Sequence, residues 1–132
     1  MRGLHLTADL RGCAPASAVM TTPAALRSTC LAAVAAAGLT AVGELFHRFA
    51  TTETGGGFPG ITGVVLLAES HVAVHTWPEL GAATLDVYVC NLGSDNSLRA
   101  EALLATLIGA FAPASVERHA VERGTMPSRV AG

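Results

Sequence analysis

The clearest pattern along this chain of 132 residues is an alternation of hydrophobic and polar positions, which is typical of half-buried β-strands. It runs from Leu4 to Leu10, from His71 to Trp77 and from Thr84 to Cys90. The stretch from Ile61 to Leu67 is instead continuously apolar, as in a buried strand. These stretches predict four strands, of which the last three form a meander with a turn near residues 78–81.

Two further stretches carry apolar residues three and four positions apart, which predicts helices. The first opens with Thr22 as N-cap and Pro23 at the first helical position, and it ends before Gly38. The second begins near Asp95 and is stopped by Pro113. The apolar faces of the two helices comprise Leu26, Cys30, Leu31 and Val34 in the first, and Leu103, Leu104, Leu107, Ile108 and Phe111 in the second.

The remaining segments complete the fold prediction. Helical and extended spacings both fit Leu39 to Phe49, and the preceding Gly38 favours a strand. Ala50 to Gly60 has four glycines and no apolar period, which indicates a loop, and Ala114 to Val121 predicts the last strand. The prediction is therefore a single α+β domain, a two-layer sandwich of an antiparallel sheet with two helices on one face.

Composition narrows the possible functions. Charged residues make up 14% of the chain, hydrophobic residues make up 51%, and the net charge is −2, which argues against a nucleic-acid-binding protein. So few charges on a small domain indicate that part of the surface is covered in a homo-oligomer. The N-terminus lacks the apolar core of a signal peptide, and the Ala-rich stretch 31–42 falls short of the roughly 20 residues that span a membrane, so we expect a cytoplasmic protein without a membrane partner.

The candidate chemistry centres on Glu69, Ser70 and His71, which follow the buried strand. On a strand that rises roughly 3.3 Å per residue, His71 and His75 lie roughly 13 Å apart, so they do not share a metal ion and no metal site is predicted. The three cysteines form no C-x-x-C pair, which favours reduced thiols. Ser70 lacks the G-x-S-x-G setting of a hydrolase nucleophile. Taken alone, these residues also fit a turn serine and a half-buried core histidine.

Several motifs in the chain carry a family resemblance. They are E-S-H at 69–71, H-T-W-P-E at 75–79 and D-V-Y-V-C at 86–90, supported by G-L-H-L-T-A-D-L-R-G-C at 3–13, F-H-R-F at 46–49 and E-R-G at 122–124. Together they resemble the prokaryotic S-adenosylmethionine decarboxylases, proenzymes that make their own pyruvoyl cofactor. The resemblance covers most of the chain.

The resemblance implies self-cleavage between Glu69 and Ser70. Residues 1–69 would become the β chain and residues 70–132 the α chain, with a pyruvoyl group derived from Ser70 at its start. His75 takes the place of the processing base, and Thr62 stands where the family commonly has a processing serine. Cys90 takes the place of the residue that protonates the substrate carbon after carbon dioxide leaves, a role that suits a thiol still protonated at neutral pH.

The resemblance also implies a substrate, a small molecule that contains adenosine. Phe49 and Trp77 take the places of the rings that hold the adenine, and Glu79 that of the carboxylate that binds the ribose hydroxyls. Asp86 could serve either the site or a dimer interface. The implied function is decarboxylation of S-adenosylmethionine to S-adenosylmethioninamine for spermidine synthesis, by a homodimer of cleaved protomers. Two alternatives stay open, a pyruvoyl-dependent ornithine or arginine decarboxylase and a non-catalytic dimer partner.

Overall fold

A computed structural model describes residues 2–50, 59–91 and 93–124. Within them the chain forms one six-stranded sheet with the strand order β2-β3-β4-β5-β1-β6, and every neighbouring pair is antiparallel. The strands are β1 (Gly3–Arg11), β2 (Ala41–Arg48), β3 (Ile61–Leu67), β4 (Ser70–Trp77), β5 (Ala82–Cys90) and β6 (Ser115–Arg123). The predicted antiparallel sheet is confirmed, including the strand reading of the segment after Gly38.

The α-helices in this part of the chain are α1 (Ala18–Thr21), α2 (Pro23–Ala36) and α3 (Ser97–Phe111), and Pro78–Leu80 form one turn of 3-10 helix between β4 and β5. Thr22 is the N-cap of α2 and Pro23 its first residue, as predicted. The short helix α1 was not predicted, because a four-residue helix is too short to show a helical period. Apart from α1, the two-layer α+β sandwich is as expected.

The core lies between the helices and one face of the sheet. On this face the alternate residues of β1, β4 and β5 are buried, and they pack against the apolar stripes of α2 and α3. The largest fully buried side chains include Leu6, Leu10, Leu26, Leu85, Leu103, Leu104 and Leu107. Burying a leucine side chain contributes roughly 1.5–3 kcal/mol, so this stripe fixes which face of each strand turns inward.

The other side of the sheet, which we call the open face, carries no helix formed by the described residues. It exposes large apolar side chains such as Leu45 (70% exposed), Leu66 (50%) and Val121 (53%). The strand register places all five histidines of the chain on this face, since Thr62 pairs with both His47 and His75, and His71 and His5 both pair with Tyr88. The fifth, His119, pairs with Thr7 of β1. The open face is therefore both apolar and rich in titratable groups.

Candidate active site

The predicted site residues occupy both ends of β4. Ser70 is its first residue, whereas His75 and Trp77 lie at the far end. At a rise of roughly 3.3 Å per residue, Ser70 and His75 are roughly 16 Å apart along the strand. Within a single chain, Ser70 and the processing base that the resemblance implies therefore do not lie together. The structure instead forms a Ser70 cluster (Glu69, Ser70 and Cys90) and a His75 cluster (Phe49, Thr62, His75, Trp77 and Glu79).

The backbone of the Ser70 cluster is strained at the predicted cleavage point. Ala68 and Glu69 form the turn between β3 and β4, and Ser70 has a φ of +151°, which residues with a side chain rarely adopt. Backbone outliers of this kind cost of order 1–3 kcal/mol and persist where the surrounding structure holds them. The hydrogen bonds around Glu69 supply that restraint.

Three hydrogen bonds hold Glu69 and its turn. The Glu69 carbonyl oxygen accepts the backbone N–H of Cys90 at 2.8 Å, and Glu69 Oε1 accepts the backbone N–H of Thr40 at 3.1 Å. The Ala68 N–H donates to the Thr40 carbonyl oxygen at 2.8 Å. The carbonyl that precedes Ser70 is thus already paired with an N–H donor that would stabilise negative charge developing on its oxygen.

His71, which the sequence analysis placed beside Ser70 without assigning it a role, also lies at this cluster. Its Nδ1 lies 3.4 Å from Ser70 Oγ, and its ring lies 5.8 Å from that of Tyr88. Adjacency to Ser70 was the available signal. However, neighbouring strand residues normally point to opposite faces, and only the unusual φ of Ser70 brings the two side chains together.

A polar cavity of about 290 Å³ adjoins the Ser70 cluster. Glu69 and Cys90 line it together with residues that precede or begin α3, namely Ser94, Asn96 and Arg99. The Arg99 guanidinium donates to Asn96 Oδ1 at 2.8 Å. The predicted cleavage point therefore borders a cavity that has one cationic side chain, Arg99, among its lining residues.

The His75 cluster surrounds a second cavity, of about 280 Å³, at the other end of β4. All five of its predicted residues line this cavity. Thr62 and His75 are paired across β3 and β4, and Thr62 Oγ1 lies 3.2 Å from His75 Nδ1. This contact orients the imidazole, and in the tautomer in which Nδ1–H donates to Thr62 Oγ1, Nε2 is the nitrogen that can accept a proton.

The aromatic side chains give this cavity a partly apolar wall. Phe49 is 40% exposed and Trp77 39% exposed, and the Trp77 ring lies 6.0 Å from that of His75. Phe49 is positioned because its backbone N–H donates to the Gly60 carbonyl oxygen at 2.9 Å. Only a glycine fits at position 60, since a Cβ there would collide with the Thr76 carbonyl oxygen. Half-exposed rings beside the Glu79 carboxylate suit a flat ligand that carries hydroxyl groups.

Asp86 belongs to neither cluster. Its Oδ1 lies 3.1 Å from His5 Nε2 on the open face, and Arg123 lies 3.3 Å from His5 Nδ1 and 5.0 Å from the Tyr88 ring centroid. In the described part of the chain, no three His, Cys, Asp or Glu side chains are grouped to hold a metal ion, and no helix there could span a membrane.

The cysteines differ in their surroundings. Cys13 and Cys30 are buried, whereas Cys90 is partly exposed. Burial raises the pKa of the Cys13 thiol and raises that of Cys30 to about 12. These two thiols therefore stay protonated and unreactive at neutral pH, which leaves Cys90 as the cysteine placed for chemistry.

Known proteins resemble this chain along most of its length. The S-adenosylmethionine decarboxylase family model matches residues 4–124. An S-adenosylmethionine decarboxylase proenzyme of Persephonella marina is 36% identical over 126 residues, which cover 95% of this chain and 84% of that protein. The proenzyme of Archaeoglobus fulgidus is 32% identical over 92% of this chain and 97% of its own length.

The fold leads to the same family. The crystal structure of the adenosylmethionine decarboxylase from Aquifex aeolicus superimposes with a TM-score of 0.80 at 33% sequence identity. The match covers 98% of this chain and 97% of the Aquifex chain. With the family model, the relatives and the fold in agreement, this chain belongs to the S-adenosylmethionine decarboxylase family.

Proposed function

We propose that this chain cuts its own backbone between Glu69 and Ser70 and then decarboxylates S-adenosylmethionine, using the pyruvoyl group formed from Ser70. The observation that carries the proposal is the hydrogen bond from the Cys90 N–H to the Glu69 carbonyl oxygen, beside the strained Ser70. The relatives are named as proenzymes of this decarboxylase, which agrees with a chain matured by cleavage.

The cleavage begins at the Glu69 carbonyl. Ser70 Oγ attacks its carbon, the negative charge on the oxygen is met by the Cys90 N–H, and His71 at 3.4 Å is placed to take the hydroxyl proton. The new O–C bond replaces the C–N bond, so that an ester forms and the proton ends on the freed amine. Once the peptide bond is broken, Ser70 can leave its unusual φ. The release of this backbone strain favours the step.

The second stage needs a base at the Cα of Ser70. Removal of that proton breaks the Cβ–O bond and releases Glu69 as a carboxylate, which leaves a dehydroalanine. Water then hydrolyses it to the pyruvoyl group and ammonia. His75, held through Nδ1 by Thr62, is the base that we assign to this step. However, it cannot reach Ser70 of its own chain across roughly 16 Å.

A homodimer resolves this separation. We place the two open faces against each other in a two-fold dimer, with the symmetry axis crossing β4 near Ala73. The two β4 strands then lie antiparallel over each other. Ala73 is close to the midpoint between the two clusters, so each cluster lies over the other cluster of the partner. The partner's His75 then lies over Ser70. Exposed Leu45, Leu66 and Val121 give the open face the apolar surface that such a contact buries.

The same dimer completes the substrate site. The His75 cavity, at about 280 Å³, is near the lower end of the roughly 300–1,000 Å³ usual for ligand pockets, and the open face of the second chain encloses it further. Phe49 and Trp77 hold the adenine and Glu79 accepts the ribose hydroxyls. The pyruvoyl group that Ser70 would provide would supply a ketone able to serve as electron sink when carbon dioxide leaves. Cys90, beside Ser70, delivers the proton to the substrate carbon.

The test combines mass and turnover on one preparation. Intact-mass spectra should show fragments 1–69 and 70–132, the second blocked at its N-terminus, in place of the 13.4 kDa chain. The processed protein should release carbon dioxide from labelled S-adenosylmethionine faster than from ornithine or arginine. A stable uncut chain would overturn self-cleavage, and a preference of about tenfold or more for either amino acid would overturn the substrate assignment. Sedimentation should show a dimer.

A further inference from the structure

Asn96 is a buried polar residue beneath the Ser70 cluster. It is 3% exposed, and among the residues that the structure describes only Thr76 shares this combination of burial and polarity. Burying an amide is unfavourable unless its donors and acceptor are hydrogen-bonded. Asn96 meets this requirement through hydrogen bonds to several residues, one of which, Cys90, is itself hydrogen-bonded to Glu69 at the predicted cleavage point.

The hydrogen bonds of Asn96 are unusual for its position at the N-cap of α3. An N-cap asparagine normally accepts a backbone N–H of the first helical turn, but the Asn96 side chain makes no such bond to α3. The carboxylate of Asp95 instead accepts the Ser97 N–H at 2.9 Å. The Asn96 side chain is therefore available for another contact.

That contact is with Cys90. Asn96 Nδ2 donates to the Cys90 carbonyl oxygen at 3.0 Å, while its Oδ1 accepts the Arg99 guanidinium at 2.8 Å. The backbone N–H of Asn96 donates to Asn91 Oδ1 at 2.8 Å, which closes the connection between β5 and α3. The main chain of Cys90 is thus held on both sides, through its N–H by Glu69 and through its carbonyl by Asn96.

We propose that Asn96 is a positioning residue for Cys90 in both self-cleavage and decarboxylation. It fixes the Cys90 main chain so that the N–H stays directed at the Glu69 carbonyl oxygen and the thiol stays beside Ser70. Arg99 strengthens this restraint, because a charged donor orients the Asn96 amide more firmly than a neutral donor would. The inference rests on the proposed function, since it assigns Asn96 to the same site.

The variant that isolates this contact is Asn96→Asp. Aspartate has the shape of asparagine and keeps an acceptor for Arg99, but when ionised it has no N–H to donate to Cys90. Asp95→Ala is the matched control, because it removes a hydrogen bond at the start of α3 without touching Cys90. Cleavage is followed by mass spectrometry after a pulse of cell-free translation, and folding by thermal melting.

We expect Asn96→Asp to slow cleavage about tenfold, which is the size of effect expected from losing one well-placed hydrogen bond. The control Asp95→Ala should cleave at the wild-type rate, although its melting temperature should be lower. On processed protein, Asn96→Asp should lower kcat for S-adenosylmethionine with KM unchanged, because Asn96 does not line the cavity that holds the nucleoside. It should also inactivate faster during turnover, as misplaced Cys90 lets protonation occur at the cofactor.

Arg99→Met provides a second readout if Asn96→Asp does not fold, since Arg99 is exposed and its loss leaves Asn96 in place. It should slow cleavage about threefold, a smaller effect than the loss of a direct contact to Cys90. Wild-type cleavage and turnover in these variants would overturn the role of Asn96 while leaving the proposed function standing. A wild-type chain that neither cleaves nor decarboxylates would overturn both.

Discussion

The two ends of β4 have similar structural supports but carry different functional groups. Each rests on one buried polar side chain: Asn96 holds the Cys90 carbonyl at one end, and at the other Thr76 accepts the Ile61 N–H at 2.9 Å and donates to the Met20 carbonyl at 2.8 Å. At the first end the backbone is strained at Ser70, and the Glu69 carbonyl oxygen accepts a hydrogen bond from the Cys90 N–H. The second carries an imidazole in an aromatic cavity. One strand therefore separates groups that the proposed reaction needs together, which is why we propose that a second chain completes the site.

The largest effect is expected at the Ser70 end. Ser70→Ala removes the nucleophile, so the chain should remain intact at 13.4 kDa and show no decarboxylation, because the pyruvoyl group is never made. Ser28→Ala, at an exposed position on α2, is the matched control and should cleave normally. Intact-mass spectra of both variants show whether each chain has been cleaved. Cleavage of Ser70→Ala would mean that another group attacks Glu69.

Cys90→Ala separates maturation from turnover within the same cluster. The backbone N–H that contacts Glu69 remains in this variant, so cleavage should still proceed, whereas loss of the thiol proton donor should lower kcat by about 100-fold or more. Carbon dioxide release per processed site measures this effect. The enzyme should also lose activity progressively as it turns over. Full activity in Cys90→Ala would refute the donor role.

Glu79→Gln tests the His75 end. Hydrogen bonds to a charged acceptor contribute roughly 1.5–3 kcal/mol each, so losing the charge should lower kcat/KM for S-adenosylmethionine at least about tenfold. Cleavage should be unchanged, because Glu79 has no part in it. Glu101→Gln, which weakens an exposed ion pair to Arg118 on the helix side, is the matched control. Equal kinetics in both variants would remove Glu79 from the substrate site.

The smallest effect is expected from Asp95, which adjoins the Ser70 end without belonging to it. The Ser97 backbone N–H and then its side chain lower the pKa of Asp95 below its usual 3.8. The carboxylate therefore stabilises the fold above pH 3.8, and this contribution is lost as the pH falls through the lower pKa of the folded state. Asp95→Ala should have a lower urea midpoint at pH 7, and the difference from wild type should shrink near pH 3. A difference that is the same at both pH values would contradict this reading.

The sequence predicted the sheet well because burial decides its pattern. The alternation from Leu4 to Leu10 predicted β1, with Leu6 and Leu10 fully buried in the structure, and the apolar spacing of α3 likewise predicted its buried leucines. Helix α1 was missed because its four residues contain no full helical period. Most of the predicted loop from Ala50 to Gly60 lies outside the described residues.

The site was harder to predict, because motifs identify candidate residues but do not show whether these residues act within one chain or between two chains. The pairing of Thr62 with His75 depends on the register of β3 and β4, which a single sequence does not specify. The rise of a strand, by contrast, already implied that Ser70 and His75 are far apart. The role of Asn96 could not be foreseen, because at an N-cap the sequence predicts capping and not a contact to Cys90.

The most direct measurement mixes two inactive chains, Ser70→Ala and His75→Ala, translated together and distinguished by a tag of known mass. In a mixed dimer the Ser70 of one chain meets the partner's His75, so the His75→Ala chain should be cut and blocked at residue 70, while the Ser70→Ala chain stays whole. Alone, His75→Ala should accumulate the uncut chain or its hydroxylamine-sensitive ester. If the mixture cleaves no more than His75→Ala alone, the shared site is contradicted.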